Sequence, residues 1–374
     1  MSTTVVSTSV AAVMVSVVAG VSAMVVASDA QMIVIIGAMS CGTPRDQSFV
    51  QAAVRVLSPA AWGDTYVALV GGNLAMLGAA LLLHLLVTMG LMKKRSVPFS
   101  EACATTRFPS LLFLVAIFVH QGIVFGGVKL LLTTASTDRP SSSHVFNSHH
   151  TQGVELGMVL GVACCLYAVV LPFASTRFVV QSQEAHFNKY DMFDTRSWVV
   201  RFLVPQGFWG PKILTRSHGG MFGGVVEGRR LFSSFNFILI NVTGCIAALE
   251  PSTPSGCNAQ YMALGVVCTA AALLFLAVQA HRVPAFNALQ GLSLVLLAVM
   301  SWGSNAQGAT GRSVFRNASV AQSSLCAIRA LYALGVMIVE RKVWKKQAAA
   351  FALNAKQADG QVPLLTLSPR RDLY

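Results

Sequence analysis

Five polar side chains stand where this sequence could do chemistry away from water. Arg329 lies near the middle of the apolar run Ser319–Glu340, and His120 and Gln121 interrupt LLFLVAIFVHQGIVFGG. Asn241 sits in FNFILINVTG, and Asp29 follows the run Val5–Val26. A guanidinium brings five donors and cannot shed its charge by deprotonation, so a buried Arg329 must meet acceptors. His120, Gln121 and Asn241 are the partners available at similar depth, joined by Asp29 if Val5–Met39 forms one long helix. An arginine held mostly by neutral groups keeps positive potential for a transient anion or carboxylate, with His120 as the proton acceptor. The competing reading is a structural arginine whose donors all serve neighbouring helices.

Other pairs have simpler uses. Lys129 and Glu155 fall near the same end of consecutive apolar runs, where opposite charges pair or reach the interface together. Cys41 and Cys257 are the two of eight cysteines that fall outside the apolar runs on the side read here as external, which makes them a candidate disulfide. Two free thiols are the alternative, because spacing does not establish proximity. His144, His149 and His150 share the Ser-rich stretch STDRPSSSHVFNSHH without supporting Cys or carboxylate ligands, so no metal site and no cofactor are expected. HGGMFGGVVEG matches neither the dinucleotide nor the P-loop spacing and reads as a flexible connector. H-E-x-x-H and G-x-S-x-G are absent, and no aspartates are paired within apolar runs, so an enzyme is not expected.

The elements that must position these residues follow from composition. Of 374 residues 54% are hydrophobic and 11% charged, and mean hydropathy is +0.63. A soluble domain carries about 25% charged residues, and this chain could not cover a water-facing surface with so few. A helix needs about 20 apolar residues to cross a bilayer, and only helices satisfy their own backbone within such a run. The expected fold is therefore all-α, a polytopic transmembrane helix bundle of about eight spans: 5–26, 67–92, 108–133, 153–174, 231–249, 261–280, 286–303 and 319–340. These form two four-span halves, 1–174 and 231–340, joined by a cytoplasmic loop, 175–230, and followed by a disordered tail, 341–374. Val5–Met39 carries one charge, Asp29, and is either one span plus an interfacial segment or a single long tilted helix. Gly153, Gly157 and Gly161 repeat every fourth residue, as do Gly122 and Gly126, which marks close helix–helix packing.

The net charge of +13 tests sidedness. With the N-terminus inside, twenty of the 27 Lys and Arg fall on inner segments and five on outer ones. That is the positive-inside bias, carried by Lys93-Lys94-Arg95 and by Arg341, Lys342, Lys345 and Lys346. The basic charge thus needs no nucleic acid; the expected partner is the lipid bilayer, with attraction to anionic cytoplasmic lipids. Within the inner loop, RFVVQSQEAHFNKYDMF reads as a surface helix. In WVVRFLVPQGFWGPKIL aromatic rings alternate with Arg201 and Lys212, as at an interfacial elbow.

The strings SDAQMIVIIGAMSCGTP, GGNLAMLG, RFPSLLFL, VPQGFWGP and HRVPAFNALQ together resemble the multi-pass membrane tail of large surface proteins of kinetoplastid-type protists. That resemblance implies an ectodomain upstream of Met1 and an external N-terminus, which conflicts with the eight-span parity unless Val5–Met39 folds back. It implies no catalytic activity. Two functions compete: a transporter or channel with a midplane polar site, or a structural membrane anchor or signalling region of a surface protein. A full charge at Arg329 tips the sequence reading toward transport, because interhelical glue does not require one. A plasma or surface membrane with a cytoplasmic C-terminus is the expected location.

Overall fold

The computed structural model describes residues 29, 31–37, 39, 56–63, 65–135, 152–181, 184–190, 193–251, 253–306 and 309–359. The first expected span, 5–26, lies outside them, as do Cys41 and the His144, His149 and His150 cluster. Among the described residues ten α-helices run from Tyr66 onward: α1 Tyr66–Arg95, α2 Phe99–Thr106, α3 Ser110–Ala135, α4 Gln152–Gln181, α5 Trp198–Leu203, α6 Lys212–Phe222, α7 Phe235–Ala248, α8 Pro254–Val278, α9 Pro284–Asn305 and α10 Ala309–Asp359. Residues 31–37 are helical as well. Among the described residues seven helices are long and apolar enough to cross a membrane. The chain is a helical membrane protein.

Helix ends follow local chemistry. Thr65 caps α1 by accepting from the Ala68 N–H at 3.1 Å, and Thr253 caps α8 through the Gly256 N–H at 3.1 Å. Proline opens α8 and α9, where its missing N–H has no helical partner to lose. Ser96, Arg107 and Gln279 end α1, α2 and α8 in left-handed backbone at φ 51°, 59° and 46°. The last helix differs from expectation at both ends. α9 stops at Asn305 and α10 starts at Ala309, so the expected 304–318 loop is mostly helix. α10 also runs to Asp359 through the first part of the expected tail, because KKQAAAFALNAKQA is rich in strong helix formers.

The inner loop departs most from the sequence reading. α4 continues through Gln181 into its first part, and HFNK, expected within a surface helix, is a strand, β1 His186–Lys189, paired antiparallel with β2 Gly207–Gly210. The stretch expected to be a flexible connector instead holds the end of α6 and a bridge between Val225 and His281, with Phe222 fully buried. Its glycines serve close approach. The Gly220 N–H donates to Ser110 Oγ at 2.6 Å, and a Cβ at Gly220 would lie 2.9 Å from the Ser110 carbonyl oxygen. The Trp209 indole N–H donates to the Val225 carbonyl at 2.9 Å while Arg230 stacks on the Trp209 ring at 4.6 Å. Arg282 N donates to Gly224 O at 3.0 Å, and its guanidinium pairs with Glu340 of α10. The α1–α3 connection, the 184–230 segment, the α8–α9 turn and Glu340 therefore meet at one end of the bundle.

Candidate functional site

The polar residues expected at the midplane separate into two clusters. In the first, Arg329 of α10 is 3% exposed and its Nη1 donates to Asp29 Oδ2. Nη2 donates to Gln290 Oε1 of α9. Asp29, 6% exposed, also accepts from Ser293 Oγ at 2.7 Å, and Ser293 in turn accepts from Gln322 Nε2 at 2.5 Å. Gln290 and Ser293 are three residues apart on α9, and Gln322 and Arg329 are seven apart on α10, so each pair shares a helical face. Polar spacing of this kind within spans was the available signal for Gln290, Ser293 and Gln322, which the sequence reading missed.

Beside this network is a cavity of about 30 Å³, lined in part by Asp29, Gln121, Asn236, Thr243 and Gln290. It brings Gln121 of α3 to the network's edge, where its amide also contacts Met32 Sδ. The sequence reading left Arg329 mostly neutral company; the carboxylate of Asp29 neutralises it instead.

His120 and Asn241 are not part of this network. His120 is fully buried in an aromatic cage, 5.1 Å from the Phe237 ring and 5.5 Å from Tyr167 between centroids. Asn241 lies against His120, while its Nδ2 donates to the Ala168 carbonyl of α4 at 2.8 Å. The reason is four residues away. Pro172 interrupts α4, and a proline has no N–H to give the carbonyl four residues before it. Asn241 thus satisfies the carbonyl that Pro172 orphans. Asn241 and His120 part from Arg329 because α7 and α3 pack on α4, whereas α10 packs on α9.

The expected Lys129–Glu155 pair does not form. Lys129, buried near the end of α3, pairs with Glu250 in the α7–α8 turn, and Glu155 is exposed on α4. Among the described residues the α7–α8 turn presents the carboxylate that reaches Lys129. Among the glycines, Gly161 faces α3, where a Cβ would lie 2.8 Å from Leu131 Cδ2. Gly126 faces α1 rather than α4; a Cβ there would fall 2.7 Å from both Leu69 Cδ2 and Val70 Cγ2. Gly122 meets Asn73 and Leu57. Gly157 is buried, and Gly153 is described only as helical backbone. Cys257 is disulfide-bonded, and the six other described cysteines are free thiols.

The spans, the ion pair between Asp29 and Arg329 and the knitted end of the bundle define a polytopic helical membrane domain. Residues 69–341 match the family described as the dispersed gene family protein 1 C-terminal domain. That match takes in more than half of the chain, and the chain belongs to this family. No curated protein and no solved structure matches it.

Proposed function

We propose that this chain is the structural membrane region of a surface protein, with its midplane polar groups acting as interhelical glue. The observation that carries the reading is the pairing of Arg329 with Asp29 and Gln290, which ties the segment around residue 29 to α9 and α10. An arginine neutralised by a buried carboxylate holds no surplus charge for an anion. The family match favours an anchor over a transporter. In this reading the 184–230 end faces the cytoplasm beside anionic lipids, the protein resides in the surface membrane, and the partner of Cys257 is Cys41. No catalytic step and no cofactor belong to it.

Asp29→Asn, Arg329→Gln and the double variant test it in the full chain. Removing one partner leaves a buried charge uncompensated, a loss of about 3–5 kcal/mol, whereas removing both returns most of it. The anchor reading expects both single variants to lose yield and thermal stability, the double variant to recover them, and proteoliposomes to show no anion flux. Wild-type flux that vanishes in a stably folded Arg329→Gln protein would overturn it.

A further inference from the structure

The end of the bundle formed by the inner loop carries a surface that its own packing does not explain. All six residues of α5, WVVRFL, are exposed; Trp198 is 72% exposed, with Val199, Phe202 and Leu203 beside it. Water would penalise such a run, and among the described residues of the loop none covers it.

Its depth identifies what does. Gln206 N donates to the Arg282 carbonyl at 2.9 Å, and Arg282 Nη1 donates to the Gly207 carbonyl at 3.1 Å, so this part of the chain sits level with the Arg282–Glu340 pair at the bundle end. Three residues earlier, the Leu203 carbonyl accepts from Tyr332 Oη of α10. Tyr332 precedes Glu340 by eight residues, about 12 Å along the helix axis. Side chains on a helix lean toward its N-terminus, here away from the Glu340 end, so the tyrosine hydroxyl does not give that depth back. From Gly207 back to Leu203 the chain therefore climbs the flank of α10, and α5 packs beside α9. The exposed apolar side chains stand at a depth where acyl chains begin.

Charge specifies the headgroup. Arg196 precedes the apolar residues and Arg201 stands among them, both exposed, while the nearby Lys189 is already paired with Asp194 at 2.7 Å. Guanidinium groups reach upward from apolar surroundings and bind phosphate through paired N–H donors. We propose that α5 is an elbow set into one leaflet, with Trp198, Val199 and Phe202 among acyl chains and Arg196 and Arg201 on the phosphates of anionic phospholipids. This goes beyond the anchor reading, since a transporter of the same fold would carry the same elbow.

The full chain in nanodiscs tests it, with Trp198→Phe defining the emission that belongs to Trp198 above that of the other four tryptophans. In acyl-brominated phosphatidylcholine the Trp198-dependent emission should be lost, while aqueous iodide leaves it unchanged. Quenching by iodide and not by bromolipid would overturn the proposal. If Trp198→Phe fails to fold, Val199→Cys carrying a bimane label gives the same two readings. For the headgroup, the wild-type protein should hold spin-labelled phosphatidylserine in preference to phosphatidylcholine. Arg196→Gln/Arg201→Gln should lose that preference with helicity unchanged; an undiminished preference would refute the phosphate contact.

Discussion

Asn241 offers a sharp test of how this bundle is held, because its role depends on a residue in another helix. Pro172 withholds the N–H that would serve Ala168, and Asn241 Nδ2 supplies the replacement at 2.8 Å. In Asn241→Leu the Ala168 carbonyl loses this donor in a setting with little water to substitute, which should cost about 1–2 kcal/mol. In a Pro172→Ala background the new N–H closes the helical hydrogen bond, so the same Asn241→Leu change should cost only what Asn241 contributes beside His120. That contribution is present in both backgrounds and cancels. The coupling energy of the cycle should therefore be about 1 kcal/mol, a five- to tenfold difference in the folded-to-unfolded ratio. Reversible unfolding of the four proteins by increasing dodecyl sulfate in mixed micelles measures it. Additive losses, with Asn241→Leu equally damaging in both backgrounds, would refute the assignment of Asn241 to the proline-freed carbonyl.

Lys129→Glu should lower thermal stability and be rescued by Glu250→Lys, while Glu155→Lys should provide no rescue, as read from melting in detergent. Gly126→Val drives new carbon into Leu69 and Val70 and should destabilise by about 1–3 kcal/mol through overpacking between α1 and α3. His281 sits in the α8–α9 turn, stacked on Phe275 at 5.9 Å, and burial, with the Arg329 charge second, lowers its pKa to about 4. It folds neutral and must gain a proton in acid. Its stabilising contribution is complete above about pH 6.5 and falls as pH drops toward 4, by at most about 1.4 kcal/mol per unit. A melting series over that window should flatten in His281→Gln; an unchanged slope would exclude this group. Limited proteolysis within the 184–230 segment should leave fragments joined until reductant is added if Cys257 bonds to Cys41, and Cys257→Ser should separate them without it.

The sequence by itself determined that this is a membrane bundle, where most of its helices lie, and which loops share a face. Those properties are one-dimensional: a run long enough to cross hydrocarbon must be a helix, and basic flanks report sidedness. It also made the cost of Arg329 visible, since a charge in an apolar run is anomalous wherever its partners stand. Partner choice was not legible. Depth along the chain put Asn241, His120 and Asp29 equally near Arg329, and put Glu155 as near Lys129 as any other carboxylate. Tertiary structure decided among them by rotation about each helix axis and by which helices are neighbours. α10 against α9 gave Arg329 to Gln290 and Asp29, α7 against α4 gave Asn241 to the carbonyl freed by Pro172, and the α7–α8 turn gave Glu250 to Lys129. The same holds for the inner loop. Its glycine-rich stretch looked like a connector because its contacts are with residues far away in sequence, Ser110 and His281, which only the assembled bundle brings within reach. A bilayer constrains a helix strongly along its normal and hardly at all in the plane, so in-plane contacts arise from packing between distant segments.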